Sequence, residues 1–362
     1  MKTISIFLFA SFVMLSACTE EEITNPDGSP IPPGGDDNNN QGSEWLIPKK
    51  EVRDGGPGKD GIPAISGPNF GAPGAVDYLD DDDLVLGFAD GDDVRAYPHA
   101  ILDWHEIIND NTANHSLAVI YCPLTGTGIG WNRVINDKET TFGVSGLLYN
   151  TNIIPYDRET DSNWSQLLLK SVNGELKGTT AKTYNLFETT WKTWKQMYPS
   201  AKVVTTETGF NRNYGRYPYG SYKTNDNLIF PVSNNDSRLE LKERVLGVII
   251  ADEAKAYKFN KTTTESRVTN DTFQNKKLVV ASNSASNFIV AFQRTLGDGT
   301  ELSFEAVQNN LPVVLVDNEG TQWDVFGRGI SGPRAGEQLQ SVPQMMGYWF
   351  SFAAFYPNIK IR

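Results

Sequence analysis

The chain repeats itself, and that repetition limits its fold more than any single motif does. Val85-Leu86-Gly87 followed by Arg95-Ala96-Tyr97 returns as Val245-Leu246-Gly247 followed by Lys255-Ala256-Tyr257, an offset of 160 residues. Leu117-Ala118-Val119 and Trp131-Asn132-Arg133 return as Leu278-Val279-Val280 and Phe292-Gln293-Arg294. Asp157, Glu159 and Trp164 recur as Asp317, Glu319 and Trp323. Trp191, Trp194, Tyr198-Pro199 and Lys202 recur as Trp349, Phe352, Tyr356-Pro357 and Lys360. Matches that keep their order over such a length are the signature of a duplicated unit. The expectation is two pseudo-symmetric halves, repeat 1 at 78–204 and repeat 2 at 239–362. A Tyr/Gly/Asn-rich connector at 205–238 joins them, and a Gly/Pro-rich lead-in at 44–77 packs along the surface ahead of them.

Within repeat 1 the pattern is short strands broken by turn residues. Leu84 to Ala89 and Val94 to Tyr97 flank Asp90-Gly91-Asp92, a hairpin signal. Pro98 suits the first helical position, and His99 to Asn109 reads as a short helix. Leu117 to Tyr121, Gly128 to Ile135, Thr140 to Val144 and Ile153 to Tyr156 read as strands, and Thr189 to Tyr198 as an aromatic-rich helix. Strands without regular alternation of long helices predict an α+β fold, mainly antiparallel β.

The first 43 residues read as targeting sequence rather than fold. Lys2, the apolar run Ile4 to Leu15 and then Leu15-Ser16-Ala17-Cys18 resemble the leader and lipobox of a bacterial lipoprotein. Residues 1–17 are then a signal peptide, and Cys18 carries lipid that anchors the chain to a membrane. Residues 18–43, rich in Asp, Glu, Asn, Pro and Gly, form a disordered tether. Glu20-Glu21-Glu22 matches a surface-export signal as well as plain linker acidity, so the expected location is the cell envelope, at the outer membrane, with surface display favoured. A net charge of −12 without a basic cluster excludes nucleic acid as a partner. A protein or small-molecule partner stays unspecified.

Chemistry concentrates in repeat 1. His99, His105 and His115 fall within 17 residues, and Cys122, the only thiol besides Cys18, follows. Histidine and thiolate are the side chains that hold copper or zinc, and they also make an activated nucleophile. On a helix, Ile101, Trp104, His105 and Ile108 share one face. His105 therefore points to the core, as a base or ligand or as a core histidine bonded to a carbonyl, while His99 and His115 face solvent. Cys122 ends an apolar strand before Pro123-Leu124-Thr125-Gly126-Thr127-Gly128, a place for a reactive or ligating group or for a small buried hydrophobe. In repeat 2 the equivalents are Asn283 and, near the His105 position, Glu265, so the thiol–imidazole pair belongs to the first copy alone. Tyr214, Tyr217, Tyr219 and Tyr222 around Gly215-Arg216 offer a second candidate, a stacking platform built from Tyr217, Tyr219 and Arg216, or an aromatic seam that packs the connector down. Asp157 and Glu159 are a weaker carboxylate pair, and Asp80 to Asp83 lacks the spacing of a calcium loop.

Several stretches together resemble the DUF3179 domain proteins. They are Gly58-Lys59-Asp60-Gly61-Ile62-Pro63-Ala64, Arg95-Ala96-Tyr97-Pro98, Trp104-His105-Glu106-Ile107, Tyr121-Cys122-Pro123-Leu124, Phe142-Gly143-Val144-Ser145-Gly146-Leu147-Leu148-Tyr149-Asn150, Tyr156-Asp157-Arg158 and Trp164-Ser165-Gln166. The resemblance runs from about residue 55 to about 260, and to the end through the repeat. Such proteins typically continue the cysteine motif as C-P-L-C, and some are described as selenoproteins. The resemblance thus implies thiol or selenol redox chemistry, or soft-metal ligation, around Cys122. This chain departs at the second cysteine position, where Thr125 stands, so no dithiol can form within the motif. Two functions follow as expectations: a one-cysteine redox or copper- or zinc-binding site made by Cys122 and His105, or a binding or scaffold lipoprotein that uses the aromatic connector.

Overall fold

The structure is a computed structural model that describes residues 45–259 and 264–362. The leader at 1–17, Cys18 and the tether at 18–43 lie outside the described residues. The described chain is mostly antiparallel sheet with three short α-helices, α1 (His99–His105), α2 (Trp191–Met197) and α3 (Trp349–Phe355). None of its helices is long and apolar enough to cross a membrane.

Three strand orders occur before the connector and again after it. The predicted hairpin, Leu84–Asp90 with Asp93–Pro98, is flanked by Phe187–Thr190 on one side and by Lys202–Val204, parallel, on the other. After the connector, Arg244–Ile250 with Glu253–Lys258 is flanked in the same way by Gln344–Tyr348 and by Lys360–Ile361, again parallel. The registers agree as well, Gly87 opposite Ala96 and Gly247 opposite Ala256. A second sheet orders Thr127–Asn132, Ser116–Cys122 and Ile107–Asn111. Its later counterpart orders Phe288–Gln293, Lys276–Asn283 and Arg267–Phe273. A third runs Phe142–Tyr149, Asn152–Asp157, Asn163–Ser165, Lys170–Asn173, matched by Phe304–Ala306, Val313–Asp317, Gln322–Asp324, Gly329–Ser331. Each third sheet is pinned by one buried carboxylate that takes an indole N–H, Asp157 from Trp164 at 3.0 Å and Asp317 from Trp323 at 2.9 Å.

The apolar cores cross between these halves. α2 inserts Trp191 and Trp194 among Val279, Phe288, Val290 and Trp323 of the later half. α3 inserts Trp349 and Phe352 among Ala118, Ile120, Cys122 and Trp131 of the earlier one. Each hairpin sheet thereby closes over the other half's second sheet. Aromatic side chains of this size supply much of a core's burial energy, so the two halves share their stability.

Several sequence expectations change here. The first helix ends at His105 instead of reaching Asn109, because Glu106 turns left-handed (φ 58°) and Ile107–Asn111 pairs as a strand. His99 is buried rather than solvent-facing: it lies 3.3 Å from the Glu188 carboxylate, which Arg244 of the later half holds at 2.5 Å. The lead-in does more than lie on the surface. Val52–Asp54, Ile65–Ser66 and Phe70–Gly71 each add an edge strand to a different sheet, and Ile47, Ile62 and Ile65 are buried. The connector buries Tyr214, Tyr219, Tyr222 and Phe230.

Candidate functional site

Cys122 closes its strand with no solvent exposure, and its thiol donates to the Thr151 carbonyl at 3.6 Å. Burial, reinforced by the charge of Glu106, pushes its pKa up to about 11, against a pull downward from Thr125. A thiol in that state is protonated at neutral pH, the opposite of an exposed, activated cysteine.

His105 is equally buried, and both its ring nitrogens are engaged. Nδ1 meets the Pro63 carbonyl at 2.7 Å and Nε2 the Tyr214 hydroxyl at 2.8 Å, while Phe210 packs on the ring. Burial pushes its pKa down to about 4, so it is a neutral imidazole that ties the connector to the lead-in. Among the described residues no contact joins it to Cys122. No group of three or more His, Cys, Asp and Glu is arranged to hold a metal there either. A copper or zinc site made by Cys122 and His105 does not fit this donor set, because the ring has no free nitrogen to offer. His115 is half-buried beside Asp90, at 3.7 Å.

The acid whose charge bears on the thiol is the neighbour of His105. Glu106 is held with its backbone in the left-handed region, where a side chain is strained, by its own N–H to the Leu102 carbonyl and by its carbonyl to Tyr121 N–H. Its carboxyl is buried, and burial pushes its pKa up to about 8 against one hydrogen bond from Tyr219 at 3.4 Å. Two unfavourable choices at one position, strain and a buried acid, are typical of functional sites. The sequence carries one faint sign of it: an acidic residue at a helix C-terminus, where the helix dipole disfavours negative charge.

Glu106 lines a cavity of ≈ 30 Å³, room for one or two waters, together with Ile62, Leu124, Gly146, Ile153 and Tyr219. Cys122 belongs to the same apolar cluster as Ile62, Leu124, Ile153 and Tyr219. Beside the thiol runs a sealed polar network. Thr125 Oγ1 and Thr127 Oγ1 are 2.8 Å apart, Asn152 donates to Thr125 at 2.9 Å and to Gln166 at 2.7 Å, and Gln166 donates to the Ile120 and Thr127 carbonyls. Asn152 Oδ1 has no partner in it. The later half caps this loop, Tyr348 N–H donating to the Thr125 carbonyl at 2.8 Å.

The remaining candidates fall elsewhere. Tyr219 reaches Glu106, whereas Tyr217 bonds the Pro123 carbonyl at 3.3 Å and lies under Lys223. Arg216 is exposed and offers only its carbonyl, to Trp104. The connector tyrosines are thus an internal seam more than an open platform. Asp157 is buried under its turn, taking hydrogen bonds from Thr160 and Trp164, and the exposed Glu159 pairs with Lys138.

A mainly antiparallel protein whose motif stretches gather around one buried carboxyl is the class that fold and site define. The model of the DUF3179 family, described as proteins of unknown function, matches residues 59–359, and the chain belongs to that family. No curated protein and no solved structure matches.

Proposed function

We propose that this is an exported, lipid-anchored envelope protein built from two copies of one unit, whose first copy keeps a one-cysteine redox site in which Glu106, not His105, serves Cys122. The single supporting observation is the convergence of the family stretches, at Ile62, Glu106, Leu124 and Gly146, around one water-sized cavity, with Cys122 in the apolar cluster that Ile62 and Leu124 share. The repeated strand orders, with the repeated Asp–Trp pair, support the duplication.

Cavity size and burial select a small, uncharged oxidant such as a peroxide. The Cys122 sulfur attacks one peroxide oxygen, the S–O bond forms and the O–O bond breaks. The sulfur becomes a sulfenic acid, and the departing oxygen takes the thiol proton by way of the Glu106 carboxylate and leaves as water or alcohol. Two equivalents of a low-molecular-weight thiol restore the cysteine, forming first a mixed disulfide with loss of water and then the free thiol and an external disulfide.

Trapping of sulfenic acid on the Cys122 peptide under hydrogen peroxide, read by mass spectrometry, is expected to quicken as pH rises through about 8, where the base form of Glu106 appears. Glu106→Gln should lose that step. Equal rates in the two proteins, rising only toward the thiol's own pKa near 11, would remove Glu106 from the chemistry. The anchor has a separate test: Cys18→Ala is expected to abolish incorporation of labelled fatty acid and to release the protein from membranes, and a variant that stays lipidated ends that part of the proposal.

A further inference from the structure

A larger cavity, ≈ 390 Å³, opens between the halves and shares no lining residue with the one at Glu106. Phe88, His115, Tyr184 and Asn185 line it from the earlier half, Phe326 and Arg328 from the later one. Its size falls in the range of small-molecule sites, roughly 300–1,000 Å³. Tyr184 and Phe326 are only half-buried, so both present ring surface to the cleft. The Tyr184 ring is braced by His115 at 4.8 Å and by Phe88 at 5.8 Å.

The polar chemistry of the walls narrows the ligand. No Asp or Glu lines the cleft. Arg328 is already engaged, by Asp324 at 2.8 Å and the Gly91 carbonyl at 2.5 Å, so no free charge faces a ligand. The Asn185 amide nitrogen is shielded from solvent and has no hydrogen-bond partner, so a ligand meets it when this half-buried side chain turns toward the cleft. An unmet donor is costly unless something accepts from it. Aromatic faces for an apolar ring surface, an amide donor for a hydroxyl and no net charge describe the needs of one class, a neutral pyranose sugar.

We propose that the inter-half cleft binds a neutral mono- or disaccharide, its ring on Tyr184 or Phe326 and a hydroxyl on Asn185. The test is calorimetric titration of the full chain with cellobiose, maltose and N,N′-diacetylchitobiose. At least one is expected to bind saturably. At least one of Tyr184→Ala and Phe326→Ala should weaken it about tenfold, the worth of one ring–ligand stack. Asn185→Asp, which keeps the volume but turns the donor into an acceptor, should weaken it too, and Cys122→Ser should leave it unchanged, which separates this site from the thiol. Failure of all three sugars to bind wild-type protein overturns the proposal, as does binding that is indifferent to Tyr184→Ala, Phe326→Ala and Asn185→Asp.

Discussion

Glu106→Gln is expected to gain about 3–5 kcal/mol of stability relative to wild type as pH is raised from about 4.5 to about 8. In the folded protein the carboxyl titrates near 8, while in the unfolded chain it titrates near 4.5. Between those values the folded state holds a proton that the unfolded state has lost, so wild-type stability falls with rising pH, by about 1.4 kcal/mol per pH unit at most. Glutamine keeps the shape and removes the titration. Its amide needs its own partners, so the pH difference between the two proteins, rather than the offset at one pH, carries the test.

His105 works in the opposite direction. Its folded pKa near 4 lies below the ordinary 6.5, so the folded state resists a proton that the unfolded state accepts, and stability is lost as pH falls from 6.5 toward 4. Where the two windows overlap, from 4.5 to 6.5, the slopes oppose each other. Wild type should therefore show a near-plateau there and decline above it, whereas Glu106→Gln should rise through the same interval and then stay level. Urea midpoints across a pH series measure this directly. Parallel curves for the two proteins would mean that Glu106 is not a buried acid.

How much of this was legible in the residues follows from which forces are local. The first hairpin is readable because Asp90-Gly91-Asp92 states a tight turn, and Gly91 does take φ 59°, whereas the second turns on Ala251-Asp252 and is readable only through the repeat. The helix over His99–Asn109 was overrun because Ile107 and Ile108 fit a helical face as well as a buried strand, and no Gly or Pro announces the break at Glu106. His105 was placed correctly in the core, but its partners Pro63 and Tyr214 lie 42 and 109 positions away. His99 is misplaced for the same reason: periodicity shows one buried face of a helix, not the distant Glu188 that covers the second face, nor Arg244, which the later half brings onto it. The lead-in strands are two or three residues long, too short to leave a period. Glu106 stood in plain view within a family stretch, yet what sets it apart is strain and burial, and neither is written in residue order.

Gly87→Ala and Gly247→Ala should each cost about 3 kcal/mol or more, and by the same mechanism. Neither glycine needs its backbone freedom, for neither has a positive φ. What each gives up is a methyl group's worth of space. A Cβ on Gly87 would lie 2.0 Å from the Trp194 ring, and one on Gly247 would lie 2.1 Å from the Phe352 ring. Both rings are fully buried, Trp194 in the core beneath α2 and Phe352 in the core beneath α3, so neither has open space to swing into. Close-packed interiors cannot absorb such an overlap without moving backbone or forcing an off-rotamer ring. Gly74, which has no atom within 4 Å of its built Cβ, is the control and should tolerate alanine within about 0.5 kcal/mol. In a Trp194→Ala background the Gly87→Ala penalty should largely vanish, since the clash and its partner are removed together, and a double-mutant cycle reads that coupling. Similar penalties at the two glycines are what descent from one unit predicts: the same strand position, the corresponding helix, and an aromatic ring, indole or phenyl, pressed against a bare backbone. If Gly247→Ala is tolerated while Gly87→Ala is not, the two hairpins are packed by different means, and their shared strand order loses its force as a sign of common origin.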